Sequence, residues 1–154
     1  MRLISALSTH RPPLFFQLIP MLHSIKPIID RKIRIAIVGC GRISINHIRS
    51  IALHSDRAEL VALCDINPER MNSALDNIRD SFQQSGIDCN PKLIPDYSDL
   101  LAQVDSGDLL VDLVVLTTPS GLHPSQAILA ASSGLHVCTE KPMATRWDLS
   151  LIHI

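Results

Sequence analysis

The sequence predicts an α/β fold, a doubly wound parallel sheet with helices on both faces. Three observations carry that prediction. From Lys32 onward, short apolar runs rich in β-branched residues alternate with segments of helical period. The runs show no polar alternation, so both faces of each strand are expected to be buried. All six glycines fall at expected turns or helix ends, so local and global signals agree.

The elements follow in order. Ile33 to Val38 is a strand that ends at Gly39. A helix then places Ile43, His47, Ile48, Ile51 and Ala52 on one face. Leu60 to Cys64 is a second buried strand, ending at Asp65. Asn67 caps the next helix and Pro68 takes its first position, where a missing N–H costs nothing. Met71, Leu75, Ile78 and Phe82 follow at helical spacing, and Gly86 closes that segment. Lys92 to Ile94 is a weak third strand, and Tyr97 to Val104 a short helix with Leu100, Leu101 and Val104 inward. Val111 to Thr117 is the clearest strand. Pro124, Ala127, Ile128 and Ala131 mark another helix face, Gly134 closes it, and His136 to Thr139 is the fifth strand.

Composition bounds the function. A chain of 154 residues can bury one core, and 46% hydrophobic with 19% charged residues describes a globular domain rather than a disordered one. A net charge of −1 with no basic stripe argues against nucleic acid as a partner. No apolar run approaches the roughly 18 residues of a membrane span. Cys40, Cys64, Cys89 and Cys138 form no C-x-x-C and have no histidine at zinc spacing. They read as reduced thiols of a cytoplasmic protein, with no metal site. Residues 1–31 differ from the rest: they hold four of the ten prolines, no glycine and no sustained period. They read as an irregular leader or a start codon placed too far upstream, with Met21 an alternative start.

The first strand-to-helix turn reads V-G-C-G-R-I-S. Gly39 and Gly41 match the first two glycines of G-x-G-x-x-G: the first permits a tight turn, the second lets backbone approach a pyrophosphate. The helix N-terminus behind them offers free N–H groups and a positive dipole end. Ser44 replaces the third glycine, and being small it still allows close helix–strand packing. Asp65 ends the second strand, where a carboxylate accepts from the adenosine ribose and repels a 2′-phosphate. Together these predict a Rossmann-like domain that binds NAD rather than NADP. The competing reading of Asp65 is a turn residue before Asn67-Pro68.

Four stretches go beyond a generic dinucleotide fold: GCGRIS (39–44), CDINPER (64–70), VVLTTPSGLHPSQA (114–127) and HVCTEKPMA (136–144). They resemble the N-terminal domain of the glucose–fructose oxidoreductase/inositol dehydrogenase family, Gfo/Idh/MocA, over about Lys32 to Trp147. The wording TTPSGLHP and TEKPMATRW is most similar to the branch that oxidises UDP-N-acetyl-aminosugar uronates at C3. The resemblance implies that Gly39, Gly41, Arg42 and Ile43 line the dinucleotide phosphates and Asp65 holds the adenosine ribose. It implies that Thr117, Thr118, Pro119 and His123 border the cofactor. Glu140 and Lys141 would sit by the nicotinamide ribose and the substrate, with Pro142 fixing the turn that aims Lys141. For His123, a structural residue at a helix start is an equal alternative. His47 reads as a packing or surface group, and Cys40 as a space-filler.

Lys141 can be argued from chemistry as well. Oxidising a secondary alcohol removes a hydride from carbon and a proton from oxygen. An ammonium holds the developing alkoxide; a neutral amine takes the proton. A free lysine pKa of about 10.4 is too high for a base at neutral pH, and burial or a neighbouring positive charge lowers it. Both roles for Lys141 stay open, as does a plain surface lysine.

The resemblance also implies a second domain, an open antiparallel sheet with helices, that makes most substrate contacts and the homo-oligomer. That α+β domain is absent from the sequence, and the dinucleotide domain (32–148) is expected to lack its last strand. Leu149 to Ile154 read letter for letter as the translation of a transposon-end sequencing adaptor, so the chain is expected to be an N-terminal fragment. The expected parent is an NAD-dependent oxidoreductase acting on a sugar or sugar nucleotide. The rivals are an inositol or polyol dehydrogenase and, in a different class, a non-catalytic NAD-binding module or decayed gene product.

Overall fold

A computed structural model describes residues 27–83 and 86–145. Most of the expected leader and the expected adaptor segment lie outside them. The element order is β1 (Ile33–Val38), α1 (Ser44–Leu53), β2 (Ala58–Cys64), α2 (Pro68–Gln83), β3 (Lys92–Ile94), α3 (Tyr97–Asp105), β4 (Leu113–Leu116), α4 (His123–Ser132) and β5 (His136–Thr139). The five strands form one sheet in the order β3-β2-β1-β4-β5. Every pairing is parallel.

Alternate residues of the strands feed two cores. Ala36, Val38, Ala62, Cys64, Val114 and Leu116 pack with α3 and α4 through Leu100, Leu101, Ala127 and Ala130. Ile35, Ile37, Leu63 and Val115 pack on the other face with Ile48, Ile51, Met71, Ile78 and Phe82 of α1 and α2. The inner strands β1, β2 and β4 are buried on both sides and have no polar face to show, which is why their sequences lack alternation; the edge strands β3 and β5 depart from the expectation and are largely exposed. Asn67 caps α2 as expected, its side-chain oxygen accepting from the Glu69 N–H at 2.9 Å.

Several boundaries differ from the sequence reading. The Val111–Thr117 run yields a strand of only Leu113–Leu116. Val111 instead packs in the core, and the Asp112 side chain is taken up by two arginines. On α4 the inward residues are His123, Pro124, Ala127 and Ala130, whereas Ile128 and Ala131 are exposed. The stripe there is set by His123 and Pro124 at the first turn, which rotates it away from Ala131. Ile43 precedes the first turn of α1 and is exposed, so Ser44 takes the inward position.

Arg31, assigned to the leader by composition, belongs to the folded unit. Its guanidinium donates to Asp112 at 2.6 and 2.9 Å. Arg34 adds its backbone N–H at 2.9 Å and its guanidinium at 3.1 and 3.0 Å. The Arg31 contact first, then Arg34, hold the Asp112 carboxyl well below the usual carboxylate range. A lowered folded pKa means the stabilisation is full above the unfolded value of about 3.9 and fades as pH falls below it. Asp112→Asn is expected to cost about 1–3 kcal/mol at neutral pH, because one carboxylate partner of a sheltered cluster is lost. Urea unfolding at pH 7 and pH 3 checks this: the difference between variant and parent should shrink at the lower pH. Among the described residues, no helix is long and apolar enough to cross a membrane.

Candidate functional site

The strand order reverses between β1 and β4, and in such sheets ligands bind beyond the carboxyl ends of the strands at that point. Of the predicted residues, Gly39, Gly41, Asp65, Thr117, Thr118 and Pro119 line one cleft there, while Arg42, Ile43, His123, Glu140 and Lys141 lie outside its lining, the last two just past β5. Gly39 has φ +94, a region that L side chains avoid. A Cβ on it would stand 2.7 Å from the Thr118 nitrogen and 2.8 Å from the Thr117 carbonyl carbon. Gly39 therefore serves both the turn and a close pass against the end of β4. Gly41 is different: a Cβ there would meet no protein atom within 4 Å. Protein packing does not demand that glycine, so the space it leaves open is available to a ligand.

The loop is held from beneath by Asp65, which is buried at 7% exposure. One carboxylate oxygen accepts from the Cys40 N–H at 2.7 Å and the other from the Asn67 N–H at 2.8 Å. Asp65 thus fastens the phosphate loop to the end of β2, and each oxygen keeps a lone pair for a ribose hydroxyl. The N-terminus of α1 carries no side-chain cap; of its first N–H groups, that of Ser44 donates to Gly41 O at 3.0 Å and that of Asn46 to Ile43 O at 3.1 Å, and the positive end of the helix dipole still faces the loop. Loop, open space and helix end fit a dinucleotide pyrophosphate. Arg42 and Ile43 are exposed at its mouth.

At the β4 end, Thr117 is buried and its hydroxyl donates within the loop, to Val38 O at 3.1 Å and to Gly39 O. It staples β4 to the phosphate loop. The Thr118 hydroxyl meets the Gln126 side chain at 2.5 Å, and Pro119 is exposed. His123 is only 1% exposed. Its ring nitrogens lie 2.7 Å from Thr118 O and 3.0 Å from Pro142 O. Of its two readings, the geometry favours a structural brace, joining the exit of β4 to the turn after Lys141. The Lys141–Pro142 bond in that turn is cis.

Glu140 is half-buried and Lys141 exposed just past β5. Any burial of the Lys141 amine must therefore come from outside the described residues. His47 Nε2 lies 3.0 Å from Glu140 Oε1. That contact, with the Lys141 N–H, holds the Glu140 carboxyl below its usual range. The pairing joins residues 93 apart and had no local signal in the sequence. The cleft also runs past Ile66, Arg70, Tyr97, Leu122 and Gln126, none of which the sequence reading singled out. Cys40 is buried, and burial pushes its thiol up to about 12, so it is a packing residue and not a nucleophile.

A glycine loop at the strand-order reversal, tied to an acidic residue ending the second strand, defines a dinucleotide-binding Rossmann domain. Residues 33–150 match the family model of the oxidoreductase family with an NAD-binding Rossmann fold, Gfo/Idh/MocA, and the chain belongs to that family. Among solved structures it is similar to the WlbA dehydrogenase of Bordetella pertussis in complex with NADH and UDP-GlcNAcA. The identity is 50% and the TM-score 0.67, over 81% of this chain and 33% of that one. The WlbA enzyme of Chromobacterium violaceum, with the same ligands, is 46% identical with a TM-score of 0.68, over 82% and 32%. The inositol 2-dehydrogenase of Acidothermus cellulolyticus is 30% identical over 75% of this chain. This chain spans 30% of that relative's length.

Proposed function

We propose that this chain is the NAD-binding part of a dehydrogenase that moves a hydride between a hydroxyl-bearing carbon of a sugar nucleotide and nicotinamide. The observation that carries the reading is the convergence of the Gly39–Gly41 loop, Asp65 and the Glu140–Lys141 turn at one end of the sheet. The cofactor supplies the hydride acceptor. The chain's own residues do the rest: Gly41, Arg42 and Ile43 line the phosphates, Asp65 takes the adenosine ribose, and Thr118 and Pro119 border the nicotinamide end. Glu140 orients the distal ribose. Lys141 stabilises the developing alkoxide as an ammonium or, as a neutral amine, takes the proton from the substrate hydroxyl.

A sugar-nucleotide uronate is preferred over inositol because identity to the WlbA enzymes is 46–50%, against 30% to the inositol 2-dehydrogenase. These 154 residues by themselves are proposed to bind NAD without turnover, since they match 32% of the WlbA chain and substrate positioning draws on groups outside a cofactor-binding domain. A cytoplasmic, homo-oligomeric parent belongs to the same proposal.

Calorimetric titration of the chain with NAD and with NADP tests the reading. NAD should bind at least about tenfold more tightly, since one unit charge repelled at the ribose is worth about 1.4 kcal/mol or more. No heat with either cofactor would overturn it. Assaying NADH formation from UDP-GlcNAcA and from myo-inositol, in a gene product that joins this chain to a substrate domain, decides the substrate class. Binding of NAD with neither substrate oxidised would favour the non-catalytic module.

A further inference from the structure

We infer that His47 is a positioning residue that aims the Glu140 carboxylate at the nicotinamide ribose. The inference rests on the role proposed above for Glu140. The backbone of Glu140 is already fixed on both sides: its N–H donates to Leu116 O at 3.0 Å, and its carbonyl accepts from the Thr139 hydroxyl at 2.9 Å. Only the side-chain torsions remain free. His47 Nε2, 3.0 Å from Oε1, takes up that freedom.

The chemistry of the contact is directional. A carboxylate only accepts, so Nε2 of His47 carries the proton and the ring is a donor here. Oε1 is thereby engaged; the Lys141 backbone N–H also faces the carboxyl, and the lone pairs that remain can accept from a ligand hydroxyl. Both side chains are 26% exposed, sheltered enough to hold a geometry and open enough to reach a ligand. His47 lies on α1, the helix that begins at the phosphate loop. It therefore links the element that grips the pyrophosphate to the turn that carries Lys141. A freely rotating Glu140 would pay its own torsional entropy on binding a ribose; a held one has already paid it.

Three ligands separate this role from mere structural support. ADP lacks the distal ribose, ADP-ribose contains it, and NAD adds the nicotinamide. Calorimetry of His47→Ala should show NAD and ADP-ribose weakened about three- to tenfold, the size expected for one charge-assisted hydrogen bond at a half-open site. ADP affinity should be unchanged, which also shows that the variant folds. His47→Gln, which keeps a donor, should recover part of the loss. In a Glu140→Gln background His47→Ala should add nothing further. Equal weakening of ADP, or additive effects of the two substitutions, would overturn the inference. If Glu140→Gln itself leaves NAD binding unchanged, the ribose role fails first and the positioning role with it. If Glu140→Gln weakens NAD but His47→Ala does not, only the positioning role fails.

Discussion

Gly39→Ala is expected to unfold the domain or bring it close to unfolding, whereas Gly41→Ala should fold normally and fail to bind NAD. Two costs add at Gly39. The backbone sits at φ +94, where a side chain is strained. The new Cβ would also press within 2.7–2.9 Å of the backbone of Thr117 and Thr118. Those atoms cannot yield cheaply, because Thr117 N donates to Val38 O at 2.8 Å and its hydroxyl is bound in the same loop. Relief would pull β4 from β1 at the centre of the sheet. Strain and overpacking together cost about 3–5 kcal/mol, a large share of the stability of a domain this size. At Gly41 the substituted Cβ meets no protein atom within 4 Å. Folding has nothing to lose there, but the methyl occupies the space through which a pyrophosphate approaches the backbone. NAD affinity should fall more than about tenfold, as expected when a ligand is displaced from close backbone contact. Thermal melts and NAD titrations of both variants check this. The pair would be misread here if Gly41→Ala melted early or Gly39→Ala melted with the parent.

The contrast between the two glycines shows what a sequence carries and what it withholds. G-x-G between a strand and a helix is local, so its place in the fold was legible, as were five parallel strands and the cap at Asn67. The reason Gly39 tolerates no substitution was only half legible. Its positive φ is a turn property, but the press against Thr117 depends on strand order, which pattern alone does not give. Thr117 and His123 show the same limit. Both sit in a stretch that marks the cofactor side, yet their polar atoms are spent on backbone carbonyls of the protein itself. His47 is the converse. A histidine in mid-helix reads as packing, and only the fold brings it to Glu140. Where the partner is a few residues away, the sequence names the role; where it is some ninety away, it names only the residue.

Asp65→Ala should weaken NAD binding at least about twentyfold, and Asp65→Asn should separate the two reasons why. The carboxylate holds the loop by accepting two backbone N–H groups, from Cys40 and Asn67. Alanine leaves both without a protein acceptor. Each unpaired buried group costs about 1–3 kcal/mol, so the melting temperature should fall together with affinity. Asparagine keeps the shape and one acceptor oxygen but turns an NH2 group towards the other N–H, so it should destabilise by about half as much. It also removes the negative charge. If that charge sets cofactor choice, the preference for NAD over NADP should shrink by about tenfold in Asp65→Asn even though affinity for both is lower, in line with about 1.4 kcal/mol of charge repulsion. If the ratio is unchanged while the melting temperature drops, Asp65 is a loop anchor alone, and discrimination against a 2′-phosphate lies elsewhere in the cleft. Arg70 lines the same cleft with a charge that would favour a 2′-phosphate, so Arg70→Ala should widen the preference for NAD rather than narrow it.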